Sequence, residues 1–330
     1  MTTTVQPAGS APAPAPEAAR PAPAKADPRY TALRNFAISL TVFNILGYTV
    51  LGFEQPWLWP FLALATGYTT ELVLEVIGAW AERRAPRFRG NGPRGVYEFL
   101  LPAHITSLAA NMLLYANDKW WPIMFAVVVS VGQKHVLKAP IAGRWRHFMN
   151  PSNFGITLTL LLFGTWVSIA PPYQFTEYAN SLFRILIPVV IATAGTVINA
   201  MLTRRVMLIM GWMGGFAIQA LVRHWIWDVA LFSALGAMSG VAFILFTNYM
   251  VTDPGTTPSK PRQQFVFGAG IATVYGVLMV ANVTYTLFYA TTIVCALRGL
   301  GWWVAHLRGR RARAAAGAGA GTGGTTAGTA

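Results

Sequence analysis

The chain has a single cysteine, Cys295, among 330 residues. One thiol cannot form an intramolecular disulfide, a zinc knuckle or a cysteine-ligated iron–sulfur cluster, so iron–sulfur chemistry would have to come from a partner. Its place inside an apolar run reads as packing. Charge is also scarce: Asp, Glu, Lys and Arg occupy 11% of positions, against about a quarter in soluble domains. Acids are the scarcer sign, 11 against 25 basic residues. Hydrophobic residues reach 54%, which places the chain among membrane proteins. The sequence contains no Gly-rich nucleotide loop, no Ser–His–Asp or Cys–His arrangement, no metal-ligand spacing and no cofactor fingerprint. A self-contained enzyme is therefore not expected. The net charge of +14 does not imply nucleic-acid binding, because the basic residues sit in short clusters between apolar runs, with no aromatic interleaving.

Residues 1–29 are Ala/Pro-rich, lack the apolar centre of a signal peptide, and read as a disordered cytoplasmic tail. Residues 309–330, basic and then built of Ala, Gly and Thr, read the same way. Between them, 30–308 reads as a transmembrane domain. It holds ten apolar runs near the twenty residues that a bilayer requires: 32–53, 57–80, 98–116, 120–137, 153–170, 182–202, 206–222, 229–250, 265–283 and 286–306. All Lys and Arg except Lys119, Arg184 and Arg223 fall on alternate loops or the two ends. By the positive-inside rule both termini are cytoplasmic, and the fold class is an all-α integral protein of ten transmembrane helices in a bacterial inner membrane. Trp57, Trp59, Trp120, Trp121, Trp225 and Trp227 fall at the outer interface. Gly211-x-x-x-Gly215 and Gly236-x-x-x-Gly240 read as packing motifs, and Asn44, Asn199 and Gln219 as interhelical hydrogen-bond formers.

Polar residues inside the spans are costly and mark candidate paths. Glu71 and Glu75 lie four apart on one face of the second span; Glu75, near the cytoplasmic end, has Arg83 and Arg84 as expected partners. His104 and Asn111, seven apart, share a face of the third. Glu71, His104 and Asn111 are the candidate ion or proton pathway. Two polar, proline-broken segments interrupt the apolar pattern. In the first, Asn150-Pro151-Ser-Asn153 places a capping amide before a helix-starting proline, with Asn153 in the first turn. In the second, Asp253-Pro254-Gly255-Thr256-Thr257-Pro258 has the residues of an ordered turn on the cytoplasmic side.

Together the two breaks carry a family resemblance. His147-Phe-Met-Asn-Pro-Ser-Asn-Phe-Gly155 resembles the His-x-Phe-Asn-Pro-Ala segment of the NqrB/RnfD superfamily, membrane subunits of redox complexes. Thr252-Asp-Pro-Gly-Thr-Thr-Pro258 is similar to its Thr-Asp-Pro-x-Thr-Ser-Pro signature. The resemblance implies a ten-span plan, electron transport with partner subunits, and Asn150, Asn153, Asp253, Thr256 and Thr257 as candidate flavin contacts. The segment that carries covalent FMN in the family has no match, since Thr176 lacks the small neighbours and Thr193-Ala-Gly-Thr196 falls mid-span; the family's Gly-x-x-Gly-Glu-Thr/Ser segment in the seventh span is also missing, because Gly211-Trp-Met-Gly-Gly-Phe216 lacks the acid. Covalent FMN is thus not expected, and noncovalent flavin is the remaining form. This pattern of kept and lost motifs is most similar to the UnbU-type branch found in enediyne biosynthesis.

Three functions follow as expectations. The first is redox or transport support for enediyne-type biosynthesis at the inner membrane. The second is an ion or small-molecule transporter, in which an inverted repeat should put Asn150-Pro151 and Asp253-Pro254 at matching positions. The third is a non-catalytic scaffold that holds soluble biosynthetic enzymes at the basic cytoplasmic face.

Overall fold

The computed structural model describes residues 28–321 except positions 91, 142, 177 and 178. Each of the ten apolar runs contains helix. Helix α1 (Pro28–Leu46) begins on a proline and is prolonged by a π-turn, Gly47–Leu51, that Gly52 closes at φ 72°. There the Phe53 amide donates to the Gly47 carbonyl across 3.0 Å, a wide turn that requires a left-handed residue. Helix α2 (Trp59–Ala81) and, after α3 (Gly92–Leu113), helix α4 (Trp121–Val136) carry Pro60 and Pro122 in their first turns, where no amide partner is lost. Strand β1 (Leu114–Tyr115) follows α3.

A hairpin of β2 (Lys138–Ile141) and β3 (Arg144–His147), with Lys138 opposite His147, leads into α5 (Pro151–Phe163). Strand β4 (Ser168–Ile169) returns to pair with β1. Helix α6 (Ser181–Ile198) starts at the cap Asn180 and ends, like α1, in a π-turn, Asn199–Thr203, closed by Arg204 at φ 54°. Next comes α7 (Val206–Trp227). Then α8 (Leu231–Gly236) and α9 (Val241–Leu245, prolonged by the π-turn Phe246–Met250) form a broken pair bent by 62°. Helices α10 (Pro261–Val280) and α11 (Thr286–Gly321) complete the chain.

Five helices are long and apolar enough to cross a membrane, six if the bent pair counts as one. Helices α4 and α5, at 16 and 13 residues, reach only about 24 and 20 Å at 1.5 Å per residue, short of a ~30 Å hydrocarbon core. Large apolar side chains face outward along these helices; Trp80 is 82%, Val136 80% and Phe232 89% exposed. Such a surface fits hydrocarbon and would aggregate in water. These are the features of a multi-pass helical membrane protein.

Helix α1 packs on α3, α2 on α3 and α4, and α4 on α5; α6 packs on α9, α7 on α10 and α10 on α11. Small residues set the closest crossings. A Cβ at Gly268 would overlap the Leu208 carbonyl and the Trp212 amide, and one at Gly211 would overlap the Phe265 carbonyl. Gly215 meets Ala269 and Ala272, so Gly211-x-x-x-Gly215 is a packing motif. Gly236 and Gly240 have no such neighbour and lie at the bend between α8 and α9 instead.

Other expectations change in detail. The runs 98–116 and 153–170 are helical only to Leu113 and Phe163, then give up two residues each to the β1–β4 ladder. Helix α11 continues to Gly321 through the expected tail, since Ala and Arg there are strong helix formers. Expected disorder at 1–27 and 322–330 lies outside the described residues. Cys295 is buried, as a packing residue should be.

Candidate functional site

The two proline-broken segments meet. Asn150 caps α5, its Oδ1 accepting the Asn153 amide at 3.1 Å, while its Nδ2 donates to the Met250 carbonyl at 2.7 Å. One side chain thus ties the start of α5 to the end of the α9 π-turn, 100 residues away. Asn153 points elsewhere, donating to the Phe288 carbonyl (2.9 Å) and to Thr292 Oγ1 (2.8 Å) on α11.

Beyond Met250, Asp253 organises its own turn. Its Oδ1 accepts the Gly255 amide at 3.1 Å, its Oδ2 accepts the Thr256 hydroxyl at 2.8 Å, and its carbonyl accepts the Thr257 hydroxyl at 2.6 Å. Two arginines hold this turn from opposite helices. Buried Arg205, just before α7, donates to Thr257 Oγ1 at 2.8 Å, and Arg298 of α11 donates to the Thr256 carbonyl with its guanidinium 4.3 Å from the Trp302 ring centre. Burial lowers the Arg205 pKa, and the charge of Asp253 partly offsets that.

His147 faces the same turn. Burial pulls its imidazole below the ordinary value of about 6.5, while Asp253 and Glu71 oppose the shift and Lys134 and Arg146 add to it. The folded state therefore holds His147 neutral where the unfolded chain would bind a proton. That stability is present above about pH 6.5 and is lost as pH falls toward the depressed folded value. The thermal midpoint of the wild-type protein should drop between about pH 6.5 and 5 more steeply than that of His147→Gln. Parallel profiles would remove His147 from this role.

A second group of polar residues lies among α1 to α4. The Glu71 carboxylate pairs with Lys134 across 2.7 Å, with side-chain exposures of 8% and 12%. Only one Glu71 oxygen is engaged; the other has no partner among the described residues. His104 bridges two helices, with Nε2 2.8 Å from Thr41 Oγ1 and Nδ1 2.6 Å from the Tyr68 hydroxyl. The Thr41 hydroxyl already donates to the Ala37 carbonyl at 2.8 Å. It must therefore accept from His104, which puts a proton on Nε2; in the neutral ring Tyr68 is then the donor to Nδ1. Tyr68 and Glu71 lie one turn apart on α2, the first bonded to His104 of α3 and the second to Lys134 of α4. Seven residues along α3, Asn111 Nδ2 donates to Asn44 Oδ1 (3.1 Å) and to the Tyr48 hydroxyl (3.2 Å), leaving its own Oδ1 buried without a partner.

Glu75 is different. Arg84 (2.5 Å) and Arg87 (2.7 Å) hold both of its oxygens, so it anchors the loop after α2; Arg87 takes the place expected for Arg83. Asn199 crosses to the Asn248 carbonyl at 2.8 Å, as an interhelical bond. Gln219 bonds within α7, to the Phe216 carbonyl (2.9 Å) and to Arg223.

The candidate flavin residues do not fit that group as they stand. The donors of Asn150, Asn153, Thr256 and Thr257 and both oxygens of Asp253 are engaged with protein. Asn153 Oδ1 is the one orphan acceptor among them, and a single acceptor does not hold the alternating polar edge of a flavin. No protein-family model and no curated protein matches this chain.

Four residues of these networks were not candidates from sequence: Tyr68, Lys134, Arg205 and Arg298. Tyr68 sits three positions before Glu71, and Lys134 sits inside an apolar run; both were available signals. Nothing in the sequence singles out Arg205 or Arg298 from the other cytoplasmic arginines.

Proposed function

We propose that this chain is a ten-span inner-membrane transporter of the NqrB/RnfD type, moving a proton or another small cation along the His104–Tyr68–Glu71–Lys134 line. The observation that carries the reading is Glu71, a buried carboxylate paired with a lysine, with one oxygen that has no partner among the described residues, one turn from Tyr68, whose hydroxyl meets the His104 ring. Intramembrane chains of this composition are the usual material of proton and cation paths. Three matching pairings, α1–α3, α2–α4 and α4–α5 against α6–α9, α7–α10 and α10–α11, support two inverted five-helix halves, with α8 and α9 read together as the eighth span. Short α5 and the bent α8–α9 pair are then the broken elements that transporters place beside their sites. The segregation of basic residues supports a cytoplasmic location for the Asn150–Met250 junction and both termini.

The sequence resemblance to the UnbU-type branch is part of this proposal, and it connects the transport to enediyne-type biosynthesis, with soluble enzymes or redox subunits as partners at the basic face. No step is routed through flavin. The test is proteoliposomes enclosing a pH-sensitive dye. Wild-type protein should dissipate an imposed pH or cation gradient, and Glu71→Gln should reduce the rate at least tenfold. Equal rates for the two proteins would end the transport reading.

A further inference from the structure

We propose that Arg223 anchors an oxyanion-binding site, for a carboxylate or phosphate group, at the Trp227 end of α7. The inference does not depend on the transport reading. Arg223 lies one turn inside that end and is 9% exposed, among the most buried charged groups of the chain. A guanidinium has five N–H donors and stays charged in proteins, so a buried one requires compensation. Among the described residues its one side-chain hydrogen bond is long and neutral, from Nη1 to Gln219 Oε1 at 3.4 Å. No carboxylate oxygen lies within 4.0 Å among the described residues. Asp228, which closes α7 at φ 52°, makes no ion pair with it, and the neighbouring His224 turns its Nδ1 to the Val229 carbonyl at 2.9 Å.

The surroundings are neutral and ordered. Gln219 is 8% exposed and is held against Gly276 of α10, where an added Cβ would come within 3.0 Å of the Gln219 Cβ. Tyr275, one residue earlier on α10, stands within electrostatic reach of the guanidinium. Arg223 thus leans on the Gln219 amide within electrostatic reach of Tyr275, and its Nε and Nη2 donors have no partner among the described residues. Those two donors form the fork that grips a planar oxyanion through two parallel bonds. A long side chain that reaches for water usually ends exposed; this residue is nearly covered as a whole. The oxyanion could come from a lipid headgroup or from a soluble anion on the face that charge segregation makes external, and the two sources share the chemistry.

The test uses full-length protein in an uncharged detergent, with the midpoint of thermal unfolding read from tryptophan fluorescence. One arm replaces chloride with inorganic phosphate at constant ionic strength; the other adds phosphatidylglycerol or, as control, phosphatidylcholine to the micelles. At least one arm should raise the midpoint saturably, by about 3 °C or more. The arm that responds identifies the source. Arg223→Gln should abolish the rise and, without added anion, be no less stable than wild type, because it removes an uncompensated charge. Arg223→Lys keeps the charge but loses the fork, so its half-saturating concentration should increase about tenfold. The proposal is overturned by no saturable rise in either arm, or by an equal rise in Arg223→Gln. If Arg223→Gln yields no folded protein, an unchanged half-saturation in Arg223→Lys overturns it instead.

Discussion

Replacing Gly268 with leucine should abolish recovery of folded protein, while the same change at Gly214 should leave it intact. The two glycines lie on the two helices of one crossing and differ in what they face. At Gly268 the backbones of α7 and α10 meet directly: an added Cβ would overlap the Leu208 carbonyl oxygen and come within 2.7 Å of the Trp212 amide nitrogen. Backbone cannot rotate away as a flexible side chain can. Gly211 makes the reciprocal contact with Phe265, so the crossing is closed from both sides. Overpacking a core costs about 1–3 kcal/mol when side chains can yield. A leucine against two backbones should exceed roughly 4 kcal/mol, which most proteins cannot absorb. Gly214 has open space within 4 Å, so Gly214→Leu should stay within about 0.5 kcal/mol. Monodispersity after extraction and the thermal midpoint provide the readout. A Gly268→Leu protein as monodisperse and stable as wild type would show that the two helices do not meet there.

The second large effect concerns the buried ion pair. Lys134→Met leaves the Glu71 carboxylate without its counter-charge in a site where it is 8% exposed. Removing one partner of such a pair costs about 3–5 kcal/mol, whereas replacing both with apolar groups is often neutral. The double variant Glu71→Leu/Lys134→Met should therefore regain most of the stability that Lys134→Met loses. It should not regain flux, since the carboxylate itself is gone. Chemical denaturation in detergent gives the first comparison and the proteoliposome assay the second. A double variant as unstable as Lys134→Met would mean that the pair is not the source of the loss. A double variant that transports would mean that Glu71 is not on the path.

Much of the local structure could be read from the sequence because it rests on short-range chemistry. Asn before Pro announced the α5 cap, Asp253 with its Gly and Thr neighbours announced a self-bonded turn, and prolines marked several helix starts. The partners across helices could not be read that way. Lys134 counts toward the cytoplasmic basic cluster, yet its flexible stem lets the ammonium reach Glu71. Gln219 looked like an interhelical donor, but the Phe216 carbonyl of its own helix was closer than any neighbour.

The relation between the two breaks was also hidden. In the proposed two-half plan α5 would end the first half, whereas the Asp253 turn precedes α10, the fourth helix of the second. On that plan the two breaks would not be equivalent positions. What brings them together is the Asn150–Met250 hydrogen bond. Both α1 and α6 end in π-turns beside an asparagine contact, Asn44 with Asn111 and Thr196 with Asn248.

The central claim is that the chain crosses the bilayer ten times with the Asn150–Met250 junction at the cytoplasmic face. Cys295 is buried, so single cysteines introduced at exposed positions can be read against a quiet background. In intact cells a membrane-impermeant maleimide should label Asp118→Cys and Arg184→Cys, and should label Arg144→Cys and Lys260→Cys only after lysis. Labelling of Arg144→Cys and Lys260→Cys from opposite sides of the membrane would contradict the account.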